Sequence, residues 1–118
     1  METNSDAELL RIFLGEDDKC GHLSMFEAIV REAKKSGLAG ATVFRGILAF
    51  GASSHIRTNK ILDLSSDLPI IVEIADKKEK IEAFIPKINE MLEKSGCGGL
   101  VTIEKVKVLK YTHGKVEK

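Results

Sequence analysis

The sequence has no tryptophan, one tyrosine and five phenylalanines in 118 residues. So few aromatics, beside many Lys, Glu and Ile, make a composition compatible with a heat-adapted source. Cysteine is scarce as well: Cys20 and Cys97 stand far apart, in no CxxC spacing. Without a secretory signal, such a pair reads as two free thiols rather than a structural bridge. Net charge is absent, because 18 Lys and Arg balance 18 Asp and Glu. That balance excludes the phosphate footprint of a nucleic-acid binder and any general pull toward an anionic membrane. The charges are nevertheless segregated, acidic over Met1–Asp18 and basic over Lys105–Lys118. No apolar run approaches the roughly 20 residues of a transmembrane helix. The polar start METNSDAELL lacks the basic-then-apolar layout of a signal peptide, so the expected location is the cytoplasm.

What the chain does have is material for a core. Its hydrophobic fraction is 43%, and its length suits a single domain over 1–118. Residues 1–7 read as a flexible leader. Glu8–Leu14 reads as a strand with two largely apolar faces, Leu10/Ile12/Leu14 and Leu9/Arg11/Phe13. A polar loop, GEDDKCG, leads to a helix from near His22 to just before Gly37, its stripe made by Leu23, Phe26, Ile29, Val30 and Ala33. Gly37 suits the position after the helix C-terminus. A second strand is expected over Ala41–Phe50, where Gly46 signals a bulge or a close backbone approach.

Gly51–Asp67 follows, a long loop with no clean period, and long loops in small domains are usually functional or mobile. A third strand is expected over Leu68–Ala75. Asp76–Glu79 is a capping-box-like start for a second helix, with Pro86 predicting a kink or broken turn inside it. KSGCGG ends that helix. The last strand runs over Leu100–Tyr111, where a slip in alternation predicts a bulge at Glu104–Lys105.

The order β-α-β-β-α-β is the ferredoxin-like α+β pattern: a four-stranded antiparallel sheet with two helices on one face. Two helices cover only one side, so the other is expected to be a strongly apolar surface. Several hundred Å² left wet would forfeit on the order of 10 kcal/mol, which favours self-association. Arg45, inside an apolar strand, could face a ligand cleft, but is expected rather to pair with an acid such as Glu73 across the sheet or to snorkel its stem.

GLAGATVFRGILAFG, ILDLSSDLPIIVEI, KIEAFIPKINEML and GLVTIEKVKVLKY together resemble the family called domain of unknown function 190, over about residues 8–111. That family resembles the PII signalling proteins, ferredoxin-like homotrimers that bind ATP or ADP between subunits and touch a partner through a long loop after the second strand. The resemblance implies a trimer whose inter-subunit clefts take a small effector such as ATP, ADP or AMP, and no resident cofactor. It places Phe50, Gly51, Gly96, Gly98, Gly99, Lys110 and Gly114 at the nucleotide, and His55, Arg57 and Lys60 on the partner loop. Phe50 and Gly51 keep the PII pattern after the second strand, with Ala49 in place of a glycine. Gly96-Cys97-Gly98-Gly99 keeps two glycines of a Gly-Asp-Gly-Lys turn but has Gly99 where PII has lysine. Lys110 stands for the first arginine of Arg-x-Arg-x-Gly, and Gly114 keeps its glycine. The implied partner is a protein, a membrane transporter by analogy with PII, and no enzymatic activity is expected.

Two other readings come from different classes. His22, His55 and His113 with Cys20 and Cys97 have no metal-ligand spacing, yet trimer symmetry could gather them into the site of a metal-binding or metal-tolerance protein. An enzyme would need Cys97 as nucleophile and His113 as its base.

Overall fold

A computed structural model describes residues 4–50, 57–58 and 68–114. β1 spans Ser5–Gly15, and its burial alternates as its sequence does: Leu10, Ile12 and Leu14 are sealed, while Leu9, Arg11 and Phe13 stay half-buried on the opposite side. Residues 5–7, expected in a leader, are instead strand, paired with Val106–Val108. α1 covers Met25–Lys35. It starts later than its apolar stripe suggests, because Leu23–Ser24 is extended and pairs with Lys19–Cys20 across a tight turn at Gly21. Its end is as expected. Gly37 sits at φ +81, and Leu38 N–H reaches back to Ala33 O at 3.1 Å.

β2 is Thr42–Arg45, β3 is Pro69–Asp76, α2 is Lys78–Ser95 and β4 is Leu100–Val108. The sheet is antiparallel throughout, in the order β2-β3-β1-β4. Both helices lie on one face. Met25, Ile29 and Ala33 of α1 and Ile81, Phe84 and Ile88 of α2 pack with Leu10, Ile12, Leu14, Ile70, Val72 and Ile74 into one core. The ferredoxin-like expectation holds.

Several local expectations do not. The second strand leaves the sheet at Gly46 instead of running on to Phe50. Gly46 N–H donates to Pro69 O at 2.7 Å, and a Cβ on Gly46 would lie 2.7 Å from Pro69 Cγ, so this is the close approach that the glycine signalled. Leu48–Ala49 then forms its own short ladder with Arg57–Thr58. β4 has no bulge. Its register against β1 is unbroken from Ser5↔Val108 to Phe13↔Leu100, and it ends before Tyr111. The slipped alternation reflects an edge strand that leaves most of its side chains exposed.

α2 also runs unbroken through Pro86. The carbonyl that loses its partner there belongs to Glu82, and both residues are exposed, so water can take it. Asp76 does not cap α2 in the expected way. It spends one carboxylate oxygen on Lys77 N–H at 2.7 Å and the other on Ala39 N–H at 2.8 Å, which ties the loop before β2 to the end of β3.

Candidate functional site

Cross-strand register places the open face of the sheet in rows. One row is apolar across all four strands: Phe44 (β2), Ile71 (β3), Phe13 (β1) and Leu100 (β4). Phe44 and Leu100 are 48% and 56% exposed. The next row is polar: Thr42, Glu73, Arg11 and Thr102. Arg11 Nε donates to Glu73 Oε2 at 2.8 Å and Nη1 donates to Glu104 Oε1. Those two bonds, Glu73 first, raise the Arg11 guanidinium above its already high ordinary value, so it stays charged wherever the protein is folded. The open face is therefore not apolar throughout, as expected from sequence; a charged row crosses it.

Arg45 does not reach Glu73. It opposes Ile70 on the helix face, whereas Glu73 points to the open face, and its partner is Glu16 at the end of β1. Arg11 takes Glu73 instead. The signal was available: Arg11 shares a face with Leu9 and Phe13, and Glu73 with Ile71 and Ala75. Pairing the two needed the register.

The residues expected at a nucleotide fall in separate places. Phe50 follows β2 and is 76% exposed, close in sequence to Ile47 and Leu48, both also exposed. The glycine turn lies at the same end of the sheet but at its other edge, three strand spacings or about 14 Å across. There Gly96 closes α2 at φ +71. Ser95 Oγ accepts from Cys97 N–H at 3.3 Å, and Cys97 Sγ lies 3.7 Å from Lys19 O. Gly99 is pressed on β1: a Cβ there would lie 3.2 Å from Phe13 O. A side chain there would press on that carbonyl.

Lys110 and Gly114 lie beyond the far end of β4, roughly 30 Å from the turn along the strand. Both are exposed, Gly114 at φ +71, and between them Tyr111 and His113 meet edge to face at 5.2 Å. Gly51, His55 and Lys60 lie outside the described residues; Arg57 pairs with Ala49 through the backbone. One chain thus brings none of the three groups, Phe50, the glycine turn and the β4 tail, against another.

The alternatives meet the same geometry. Cys97 and His113 stand at opposite ends of β4, so one chain does not join them as nucleophile and base. Among the described residues, no three His, Cys, Asp or Glu side chains gather as a metal site. Both thiols are free and half-buried. A groove of about 470 Å³ opens between α1 and α2 at the Lys19–Ser24 hairpin, lined by Cys20, Leu23, Arg31, Lys87, Met91 and Ser95 among others. No helix among the described residues is long and apolar enough to cross a membrane.

An antiparallel sheet in this order, with two helices on one face and a long connection after β2, is the fold of the PII-like proteins. CPII, a nitrogen regulatory PII-like protein of Thiomonas intermedia K12, was solved bound to ADP, AMP and bicarbonate. It superimposes with a TM-score of 0.68 over 90% of this chain and 91% of its own, at 16% identity. A PII-like protein from Thermus thermophilus gives a TM-score of 0.63 over 88% and 90%, at 18% identity. Within that fold the chain belongs to the DUF190 family, described as "uncharacterized ACR", whose pattern matches residues 7–108. A UPF0166 protein of Aquifex aeolicus is 41% identical over 86% of this chain and 92% of its own. Another, from Methanocaldococcus jannaschii, is 36% identical over 76% and 82%.

Proposed function

We propose that the protein is a PII-like regulator: a homotrimer that takes an adenine nucleotide in clefts between copies and signals to a protein partner through the 51–67 loop. The observation that carries this reading is the dispersal of the candidate residues. The strand that leads to Phe50 and the glycine turn lie on opposite sheet edges, and Lys110 and Gly114 lie beyond the far end. A pocket using all three groups has to be closed by a neighbouring copy, and the exposed Phe44–Leu100 row supplies a surface on which copies can meet.

The glycine turn supplies the rest. Gly96 N–H is taken by Glu93 O and Cys97 N–H by Ser95 Oγ, both at 3.3 Å, so the approach the turn offers an anion is at Gly98, where nothing lies within 4 Å of the place a Cβ would take. The cationic complement is thin, because Gly99 and Lys110 stand where PII has a lysine and an arginine. Fewer cations favour AMP or ADP over a triphosphate. Ligand binding would shift the population of loop conformers and so engage or release the partner. A membrane transporter is the partner that PII analogy suggests.

The test is a thermal-shift titration with AMP, ADP and ATP beside light scattering. The expected result is a trimer whose unfolding midpoint rises with AMP or ADP at millimolar concentration and less with ATP. A trimer indifferent to all three would refute the nucleotide reading. The metal-binding alternative predicts stoichiometric metal in untagged protein.

A further inference from the structure

We infer that Cys20 and Cys97 form a dithiol that closes to an intramolecular disulfide, a redox link between the Lys19–Ser24 hairpin and the glycine turn. Its effect on ligand binding, though not its existence, rests on the function proposed above.

Two contacts place the thiols together. Cys97 Sγ lies 3.7 Å from the carbonyl oxygen of Lys19, the residue directly before Cys20. A planar peptide holds that oxygen about 2.8 Å from the next Cα, so Cys97 Sγ is within roughly 6.5 Å of Cys20 Cα. Independently, Cys20 lines the groove that Lys94 and Ser95 border, and Cys97 N–H donates to Ser95 Oγ at 3.3 Å. Both cysteines therefore border the same end of α2, and both pack against the same core. Cys97 Cα lies about 2.8 Å from its own Sγ, so the two Cα atoms are at most about 9 Å apart; disulfides span about 4.4–6.8 Å, and closure therefore draws the turn toward the hairpin by up to about 2–3 Å. The turn has slack for the adjustment, because Gly96 and Gly98 on either side of Cys97 have nothing within 4 Å of where a Cβ would be.

The oxidant is a small disulfide, RSSR. One cysteine thiolate attacks it and releases RSH, leaving a mixed disulfide on the chain. The second thiolate then attacks the chain sulfur of that mixed disulfide and releases a second RSH. Two protons and two electrons leave the chain, and one S–S bond forms. The link encloses both helices in one covalent loop, which restricts the unfolded chain and raises the unfolding midpoint. It also fixes the turn at Gly98, where a phosphate would approach.

The experiment uses the full reduced chain, incubated with oxidised glutathione, alkylated and weighed intact. The expected product is about 2 Da lighter, takes up no alkylating agent, stays a single chain on a non-reducing denaturing gel and yields a Cys20–Cys97 linked peptide. Its midpoint rises by several degrees, and Cys20→Ser and Cys97→Ser each abolish the product and its shift. Two alkylated thiols, two mixed disulfides per chain, or links between chains would overturn the inference. ADP added to both redox forms separates the two proposals. A missing nucleotide site leaves ADP without effect in either form while the mass loss persists, whereas a missing disulfide shows in the mass whatever ADP does.

Discussion

Gly99 is held by a stiff neighbour: the Phe13 carbonyl belongs to one of the two central strands. Gly99→Ala is therefore expected to destabilise by about 1–2 kcal/mol, with an unchanged denaturant slope. Gly46 is tighter, but its neighbour is a proline ring in an edge pairing. Gly46→Ala should cost about 1–3 kcal/mol, read from the same unfolding curves. A loss below a few tenths of a kcal/mol at either site would show that the backbone relaxes freely there. Arg11 acts differently. Its side chain and that of Glu73 are about one-third exposed, so the attraction itself is screened. Arg11→Met leaves Glu73 and Glu104 facing each other without a cation. The midpoint is expected to fall, most at low salt, and adding Glu73→Gln should recover part of the loss. A variant as stable as the parent at low salt would remove the bridge from the account. The pH dependence follows from the direction of the Arg11 shift. A raised cationic pKa contributes stability that persists from acid upward and is lost only above that pKa, so this bridge gives no transition near neutrality on the arginine side.

At the scale of the element, α2 carries an unforced cost. Pro86 sits on its exposed side, removes one N–H and leaves Glu82 O to water. Pro86→Ala should raise stability by about 1–3 kcal/mol in denaturant titration, and a loss would mean that the ring makes a contact worth more than the missing bond. The same helix shows what sequence reading could and could not reach. Its existence, stripe and glycine stop were legible, because 3.6-residue periodicity and a C-terminal glycine are local signals. The response to Pro86 depended on which side faced water, and the role of Asp76 on the distant Ala39 N–H, both non-local facts. Strands behaved alike. Ile70, Val72 and Ile74 alternate cleanly because β3 is central, whereas β4 is an edge whose exposed faces do not report parity, so a continuous strand read as a bulged one. The candidate site was legible as motifs and not as a place. Phe50, Gly96 and Lys110 could be named from the resemblance to PII motifs, but their distribution over two edges and two ends of the sheet follows only from strand order and register.

At the scale of the whole molecule, the open face decides how copies meet. Its apolar row spans the full width of the sheet, about 14 Å, and its two outermost side chains, Phe44 and Leu100, are the more exposed. Beside it runs the row of Thr42, Glu73, Arg11 and Thr102, in which Arg11 holds Glu73 and also reaches Glu104 within one chain. An interface laid over both rows buries apolar area from one and leaves the other hydrogen-bonded, an arrangement that specifies how copies align. The proposed trimer should therefore fail when the apolar row alone is spoiled. Phe44→Asp places a carboxylate at its edge, opposite Ile71, while the helix face and its core stay untouched. The parent is expected to scatter light as three times 12.9 kDa and the variant as a single chain, with an unchanged far-ultraviolet helix signal. Nucleotide-induced stabilisation should vanish with the assembly, since Phe50, the glycine turn and Lys110 then have no neighbour to close against. A variant that remains trimeric would mean that copies meet elsewhere, and a monomeric variant that still responds to ADP would place the ligand within one chain.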